Sequence, residues 1–272
     1  MIPKVIHYCW FGGNPKNELI EMCIASWKEF CPDYEVIEWN ESNYDVNAHP
    51  FMKKAYEAKR WAFVSDYARI DILDRYGGIY LDTDVELLKS LDPLLEDDLY
   101  AGFESVDYVS FGQGVGSVAG HPVLKEILAV YDGLEFSDHA YDLSTISACP
   151  IVQTNALKKH GLVCNGREQR IDGCHIYDIE VLCPMSFATG ETHITDRTVS
   201  IHHFDMSWYS ESRKRDLLRQ RRYVKRFGPT VGKALAALVG FPEKLASHAK
   251  DGELVDYVRF LFRRIFGRRD GE

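Results

Sequence analysis

The chain of 272 residues is long enough for one large domain or two small ones, and its 46% hydrophobic and 27% charged residues are typical of a globular protein. This composition excludes a disordered chain, and the longest purely apolar stretches, such as 234–239, fall far short of the roughly 20 residues that a membrane-spanning helix needs. The net charge of −9 hides an asymmetry, because residues 1–210 hold 33 acidic and 16 basic side chains, whereas residues 211–272 hold 8 and 16. We therefore expect an acidic catalytic or binding body, 1–210, followed by a basic helical extension, 211–272.

The seven cysteines do not indicate a disulfide framework or a zinc site. Their number is odd and none lies in a C-x-x-C spacing, whereas structural zinc sites need paired short spacings. Met1 leads almost directly into an apolar run, which is not the pattern of a signal peptide. These features predict a cytoplasmic protein with reduced cysteines.

The N-terminal part of the chain predicts a strand–helix–strand unit. The apolar run 4–11, closed by glycines, is typical of a buried strand that ends in a loop. A helix is predicted over 17–30, and the alternating residues 34–39 predict a second strand. Strands joined in this way pair in parallel, so we expect an α/β fold with a central, mostly parallel sheet flanked by helices.

The later elements continue this pattern. A long helical region in two pieces is predicted over 51–76, and Gly77 and Gly78 end it. The short apolar run 79–81 predicts a strand buried in the sheet. Further predicted elements are strands over 99–103 and 199–204, a helix over 123–134 after the glycine-rich stretch 109–122, and basic helices from 211 onward, with a break at 228–229 and a last amphipathic segment over 254–266.

Two carboxylates follow the buried run 79–81. Asp82 and Asp84 are two residues apart, so in an extended chain their side chains point the same way. Ligands of open α/β sheets bind at the carboxyl ends of the strands, where both side chains are predicted to lie. Two hard oxygen ligands at such a place suit Mg²⁺ or Mn²⁺. A solvated acidic turn is the alternative interpretation.

The helix before this run carries a second charged pair. Asp66 and Arg69 are three residues apart and share a helix face. The surrounding residues are apolar nearly all round, which predicts a buried helix. Buried charges must be paired with each other or bind a ligand, and the spacing alone leaves both open.

Three further residues could contribute to a site. Trp10 precedes two glycines at the end of the first strand, where an indole can stack on a planar ring such as a nucleobase, although a core tryptophan is commoner. His202 and His203 are adjacent, and adjacent residues of a strand face opposite sides. At most one of the two histidines can therefore serve the same site.

Together these segments resemble glycosyltransferase family 32, the sugar transferases that contain a D-x-D motif. The resemblance rests on HYCWFGG, WAFVSDYARIDILDRYGGIYLDTDVE and IHHFDMSW, and it spans about residues 2–210. The family includes bacterial capsule and surface-polysaccharide enzymes and fungal outer-chain mannosyltransferases, and the glucosylating domain of large bacterial toxins is similar. The resemblance implies a GT-A type fold, a nucleotide-sugar donor as co-substrate, a divalent metal (commonly Mn²⁺) and retention of the anomeric configuration.

The resemblance also implies a role for each candidate residue. Asp66, Arg69, Asp82 and Asp84 form the implied catalytic set. By position, Trp10 corresponds to the residue that stacks on the donor base. Asp66 and Arg69 correspond to contacts with the sugar and the ribose-phosphate, and Tyr80 and Asp82 to contacts with ribose and sugar hydroxyls. Asp84 corresponds to a metal ligand, His203 or alternatively His202 to a second metal ligand, and Ser207 and Trp208 to residues that hold the pyrophosphate.

The basic extension 211–272 has two interpretations. It can bind anionic lipid at the inner face of a membrane, where lipid-linked glycan acceptors are assembled, which would make the protein peripheral to that membrane. It can instead be a helical cover whose arginines are solvated. Nucleic acid is not expected as a partner, because the body is strongly acidic.

The function that the resemblance implies is a retaining, metal-dependent glycosyltransferase that acts in capsular or surface-polysaccharide biosynthesis. A UDP-sugar is favoured as donor because the Trp10 motif resembles a uracil-stacking one, and a mannosyltransferase that uses GDP-mannose is the alternative. The predicted acceptor is a glycan or a lipid-linked glycan. A metal-dependent phosphohydrolase that uses Asp82 and Asp84, and a non-catalytic membrane-surface adaptor, are the rival hypotheses.

Overall fold

The computed structural model describes residues 1–136, 149–206 and 211–250, so the predicted amphipathic segment 254–266 lies outside the described residues. The described residues form two compact units, 1–186 with 191–206 and 187–190 with 211–250. Among the helices that the structure describes, none combines the length and the apolar character that crossing a bilayer demands.

A mixed sheet forms the centre of the first unit, with strand order β2-β1-β3-β7-β5-β9-β8 and β6 paired to β5. The small pair β10–β4 stands apart from it. The strands of the described residues are β1 (Val5–Cys9), β2 (Glu35–Trp39), β3 (Gly78–Tyr80), β4 (Val85–Leu87), β5 (Leu99–Phe103), β6 (Val109–Ser110), β7 (Val115–Ser117), β8 (Gln169–Ile171), β9 (Cys174–Tyr177) and β10 (Ser200–His202).

Most strands of the large sheet run in one direction. β1, β2, β3, β5 and β9 point the same way, and β6, β7 and β8 point the opposite way. The predicted α/β fold with a mostly parallel sheet is confirmed. β7 is antiparallel to both of its neighbours, β3 and β5.

Local signals in the sequence fix where the helices begin and end. Asn17 caps α1, since its side chain accepts the backbone N–H of Ile20 at 3.0 Å. The predicted helical region 51–76 is in two pieces, and Gly77, with φ 65°, ends the second. The helices of the described residues are α1 (Glu18–Phe30), α2 (Pro50–Glu57), α3 (Trp61–Tyr76), α4 (Pro122–Asp132), α5 (Cys149–Lys159), α6 (Ile179–Leu182), α7 (Glu211–Phe227) and α8 (Pro229–Lys250).

Two apolar clusters pack on opposite faces of the large sheet. In β3, Ile79 belongs to one cluster and Tyr80 to the other, as expected for side chains that alternate along a strand. The cluster around Tyr80 includes Val64 of α3 and Leu124 of α4, and the cluster around Ile79 includes Trp27 of α1. Helices therefore cover both faces, and the carboxyl end of β3 emerges from between the two cores.

The second unit contains α7 and α8, which form a helical hairpin. Gly228, with φ 76°, lies between them, so the predicted break at 228–229 is confirmed. Val224 of α7 and Ala236 of α8 are buried.

Candidate active site

The segment after β3 brings both carboxylates of the D-x-D motif together at the carboxyl end of that strand. One oxygen of Asp82 and one of Asp84 lie within 4.8 Å of each other. The backbone N–H of Asp82 donates to the carbonyl oxygen of Gly112 at 3.0 Å. This bond fixes the chain after β3 to the loop before β7, so the position of the carboxylates is set by two elements of the sheet.

Arg69 of α3 is the buried cation of this site. Its Nη2 lies 3.1 Å from Oδ1 of Asp66 and 3.1 Å from Oδ1 of Asp82. Its guanidinium lies over the ring of Tyr80, 4.9 Å from the centroid, and the Tyr80 hydroxyl donates to the same Oδ1 of Asp82 at 3.1 Å. A buried charge needs partners, and here one cation joins an acid of its own helix to the acid that follows β3.

Burial and neighbouring charges change the acidity of this cluster. Burial raises the pKa of Asp82, Arg69 acts against that rise, and Asp84 adds to it. For Arg69, burial acts to lower the pKa, but Asp82, Tyr80 and Asp66 together raise it well above its usual range. Arg69 therefore stays cationic, and the second carboxylate beside Asp82 makes a further cation favourable at this place.

His202 faces the second carboxylate of the motif. Its Nε2 lies 3.3 Å from Oδ1 of Asp84, while Oδ2 of Asp84 accepts the backbone N–H of Asp205 at 2.7 Å. Burial acts to raise the pKa of Asp84, but His202 and the Asp205 N–H outweigh it, so this pKa lies below its usual range. Burial acts to lower the pKa of His202, and the facing Asp84 raises it well above the usual range.

The adjacent histidine points to another acid. His203 Nε2 lies 2.8 Å from Oε2 of Glu86, and its backbone N–H donates to the carbonyl oxygen of Asp84 at 2.9 Å. β10 is antiparallel to β4 with His202 opposite Val85, and the two histidine side chains contact the acids before and after that valine, Asp84 and Glu86. Of the two histidines named from the sequence, the structure brings the alternative, His202, to Asp84 and takes His203 to Glu86.

The donor set of this site fits a divalent cation. One atom each from Asp82, Asp84 and His202 lies within 4.8 Å of the others. Two carboxylate oxygens and one imidazole nitrogen are ligands that Mn²⁺ and related cations accept, and such cations usually take further oxygens from water or phosphate. Three protein ligands would leave positions for such oxygens.

Gly112 is a site residue that the sequence analysis did not single out. A Cβ placed on it would overlap Oδ2 of Asp82 and come within 3.1 Å of Nη1 of Arg69. The backbone at this position thus packs directly on the carboxylate, and only glycine leaves room for it. The glycine-rich stretch 109–122 was the available signal, but it did not indicate which of its glycines meets the acid.

The N-terminal part of α5 packs against Arg69 on the buried side of the cluster. The sequence analysis did not predict this contact either. Arg69 Nη1 lies 4.0 Å from Sγ of Cys149, and the Gln153 amide donates to the same sulfur at 2.8 Å. Gln153 Oε1 accepts the backbone N–H of Phe111 at 2.9 Å. α5 therefore links Arg69 to the loop that carries Gly112.

Trp10 lies at the carboxyl end of β1, which is parallel to β3. Its Nε1–H donates to the carbonyl oxygen of Asn14 at 2.7 Å, and Lys16 Nζ lies 5.3 Å from its ring. Asn14 lines an open cavity of about 490 Å³, together with Gly12 and Trp61 among others. Trp10, the predicted base-stacking residue, is thus hydrogen-bonded to a residue that lines a cavity on the β1 side of the site.

The two residues predicted to hold the pyrophosphate, Ser207 and Trp208, lie outside the described residues. The described chain reaches Met206, and Asp205 just before it already contacts Asp84 through its backbone.

Part of the chain is similar to known glycosyltransferases. Residues 17–101, which include Asp66, Arg69 and the D-x-D motif, match the family model described as the glycosyltransferase sugar-binding region containing a DXD motif. Inositol phosphoceramide mannosyltransferase 3 of Schizosaccharomyces pombe is 30% identical over 145 residues, which are 51% of this chain and 39% of that protein. An uncharacterized glycosyltransferase of Acanthamoeba polyphaga mimivirus is 32% identical over 143 residues, which are 47% of this chain and 54% of that protein. The chain thus spans about two fifths to one half of the length of these relatives.

Solved structures similar to the chain include the PaToxG glycosyltransferase, with a TM-score of 0.46 and 17% identity over 58% of this chain and 69% of that one. A glycosyltransferase involved in the glycosylation of the major capsid of PBCV-1 gives a TM-score of 0.41 and 11% identity, over 74% of this chain and 94% of that one.

Proposed function

We propose that the chain transfers a sugar from a nucleotide-sugar donor, with a divalent metal, to a glycan or lipid-linked acceptor. The proposal is supported by the match of residues 17–101 to the model of glycosyltransferase sugar-binding regions that contain the DXD motif. The observation that carries this proposal is the grouping of Asp82, Asp84 and His202 beside the buried cation Arg69. A diphosphate leaving group needs its developing negative charge balanced, and this site offers both a cation and a place for another.

The metal would be held by Asp84 and His202, with Asp82 as the third member of the group. When bound, Mn²⁺ or Mg²⁺ would neutralise the charge of the leaving diphosphate. His202 takes this role in place of His203, because its ring lies against the carboxylate of Asp84.

Arg69, Asp66, Tyr80 and Asp82 act on the sugar end of the donor. Arg69 and the Tyr80 hydroxyl both engage Oδ1 of Asp82, so this carboxylate is fixed before a substrate binds. A fixed acceptor oriented in this way can receive hydrogen bonds from sugar hydroxyls without reorganising. Asp66 pairs with the same nitrogen of Arg69, Nη2, so the guanidinium is held from its own helix as well as from Asp82 while the donor binds.

The transfer itself requires positioning more than a strong base. The bond between the anomeric carbon and the diphosphate oxygen breaks, and a bond from that carbon to the acceptor oxygen forms on the same face. The acceptor proton passes to the departing phosphate oxygen, so charge and atoms balance and the configuration is retained. No protein nucleophile is assigned to this step.

Two donors are candidates. The resemblance of the Trp10 motif to a uracil-stacking one favours a UDP-sugar. The fungal relative named a mannosyltransferase favours a mannosyl donor such as GDP-mannose. The name of that relative, an inositol phosphoceramide mannosyltransferase, also supports a lipid acceptor beside the glycan acceptor of a surface-polysaccharide pathway.

The test combines metal binding with donor hydrolysis. Mn²⁺ binding is measured by titration calorimetry, and sugar release is measured with a panel of UDP- and GDP-sugars. Both are measured for the wild type, for Asp84→Asn and for the control Asp107→Asn. Asp107 is exposed and lies outside the site. We expect Asp84→Asn to lose metal binding at least about tenfold and to lose metal-dependent hydrolysis, and Asp107→Asn to behave as the wild type.

The rival functions give different results. Release of phosphate from simple phosphate esters, without any turnover of nucleotide-sugars, would favour the phosphohydrolase. A chain that binds neither Mn²⁺ nor any donor of the panel, with or without an acceptor lipid, would refute the proposed transferase.

A further inference from the structure

The hairpin of the second unit presents two different sides of α8. Gly232, Ala236 and Gly240 recur every fourth residue, lie on one helix face and are buried. A Cβ on Gly232 would come within 2.5 Å of Val224 of α7, and one on Gly240 would overlap Arg219 of that helix. This row of small residues is therefore the face of α8 that packs against α7.

The opposite side of α8 is exposed and apolar. Val231, Leu238, Val239 and Phe241 are exposed, with Leu238 at 70% of its full accessibility. These side chains share one side of the helix. Val231 and Leu238 lie at its centre, because residues seven positions apart are separated by about two helical turns and point in nearly the same direction. Exposed apolar groups of this size that adjoin one another mark a surface that meets another apolar medium.

The same unit is strongly basic. Residues 212–243 contain nine lysines and arginines and two acidic residues. Arg215, Arg222 and Arg226 of α7 are exposed, and Leu218 and Phe227 add exposed apolar side chains to that helix. Basic side chains beside exposed apolar ones on a helical hairpin are complementary to a negatively charged lipid surface.

We propose that the α7–α8 hairpin docks on the surface of a bilayer that contains anionic lipid. The side chains of Val231, Leu238 and Phe241 enter the boundary between headgroups and acyl chains, while the arginines of α7 reach lipid phosphates. The two contributions act together, since basic residues are attracted to the charged surface and apolar side chains gain free energy by leaving water. This docking does not depend on the proposed sugar transfer, and it would place the protein at the periphery of a membrane.

Charge favours lipid over a symmetric pairing of two hairpins. A second hairpin would bring an equally basic surface against the first, which costs electrostatic free energy across the interface. An acidic bilayer surface instead gains free energy from the exposed arginines of α7, Arg215, Arg222 and Arg226, and that gain falls as salt rises.

Co-sedimentation of the whole chain with vesicles tests this proposal. The vesicles contain phosphatidylcholine alone or phosphatidylcholine mixed with phosphatidylglycerol, at low and at high salt. We expect binding to the mixed vesicles that weakens at high salt, and no measurable binding to phosphatidylcholine alone. Leu238→Glu should bind the mixed vesicles at least about tenfold more weakly, because it removes an inserted side chain and adds a repelled charge.

The matched control is Ile194→Glu, which changes an equally apolar and exposed residue of the first unit. It should bind as the wild type, and circular dichroism should show that both variants are folded. Equal binding by Leu238→Glu and the wild type, equal loss in Ile194→Glu, or no binding to mixed vesicles would overturn the proposal. A dimer that Leu238→Glu dissociates, measured by light scattering without lipid, would assign the face to a second copy instead.

Discussion

Replacing Gly112 by alanine should disable the acidic cluster without changing any charge. The backbone of Gly112 is not in the left-handed region, because its φ lies outside the range that only glycine favours. An alanine can therefore adopt the local conformation, and the whole effect comes from the added Cβ. That carbon would occupy the space of Oδ2 of Asp82 and stand 3.1 Å from Nη1 of Arg69.

The size of the effect follows from the contacts that Asp82 would lose. Its carboxylate must rotate or move away, which breaks the ion pair with Arg69 and the hydrogen bond from Tyr80. A hydrogen bond to a charged group contributes about 1.5–3 kcal/mol and a neutral donor adds about 1 kcal/mol. We expect the free energy of unfolding to fall by about 2–4 kcal/mol and sugar release to fall at least about a hundredfold.

Urea denaturation and donor hydrolysis measure these two quantities, and Gly133→Ala is the control. Gly133 follows α4 with φ −97°, and a Cβ there would meet nothing closer than 3.7 Å. That variant should differ from the wild type by less than about 0.5 kcal/mol. If Gly112→Ala were as stable and as active as Gly133→Ala, the packing of this loop on Asp82 would not matter and the reasoning would be wrong.

Two further predictions concern the charges of the site. Arg69→Met should destabilise the fold by about 3 kcal/mol in thermal denaturation, because two carboxylates lose their buried cation. Arg75→Met should cost about 1 kcal/mol or less, because Arg75 is exposed and its buried partner Asp71 keeps the hydrogen bond from the Tyr44 hydroxyl. Equal losses would contradict this. His202→Asn should weaken Mn²⁺ binding at least about tenfold in calorimetry while His203→Asn leaves it unchanged, and the reverse order would show that the second histidine holds the metal.

The sequence predicts most of the frame that carries the site. Hydrophobic patterning placed β3 directly before Asp82, and the two glycines before it correctly ended α3. The spacing of Asp66 and Arg69 left open whether they pair or bind a ligand. The structure pairs them and extends the pair to Asp82, a contact across elements that helix periodicity cannot reveal.

The parts that the sequence did not predict depend on register between distant segments. Alternation along a strand states that His202 and His203 face opposite sides, and the pairing of His202 with Val85 would place His203 across from Asp84. The side chain that contacts Asp84 is nevertheless that of His202, and Asp84 lies before β4 begins, where strand register no longer applies. Gly112 lies about thirty residues after Asp82, and nothing in a glycine-rich stretch marks the one glycine that touches a carboxylate. Non-local pairing also placed β7 between β3 and β5, where the order of the chain alone would have put β5.

The position of β7 has a consequence for how the chain folds during synthesis. β7 is the strand through which β1, β2 and β3 are hydrogen-bonded to β5, β8 and β9, and its central residue, Gly116, lies under the ring of Tyr100. The two parts of the sheet cannot join until β7, which ends at Ser117, has been synthesised, and the edge of β5 that pairs with β9 stays open until residue 177. An unpaired strand edge can hydrogen-bond to the wrong strand or to another chain. Acidic residues flank β5 on both sides, with Asp97 and Asp98 before it and Glu104 after it, and charges beside an open edge oppose such pairing.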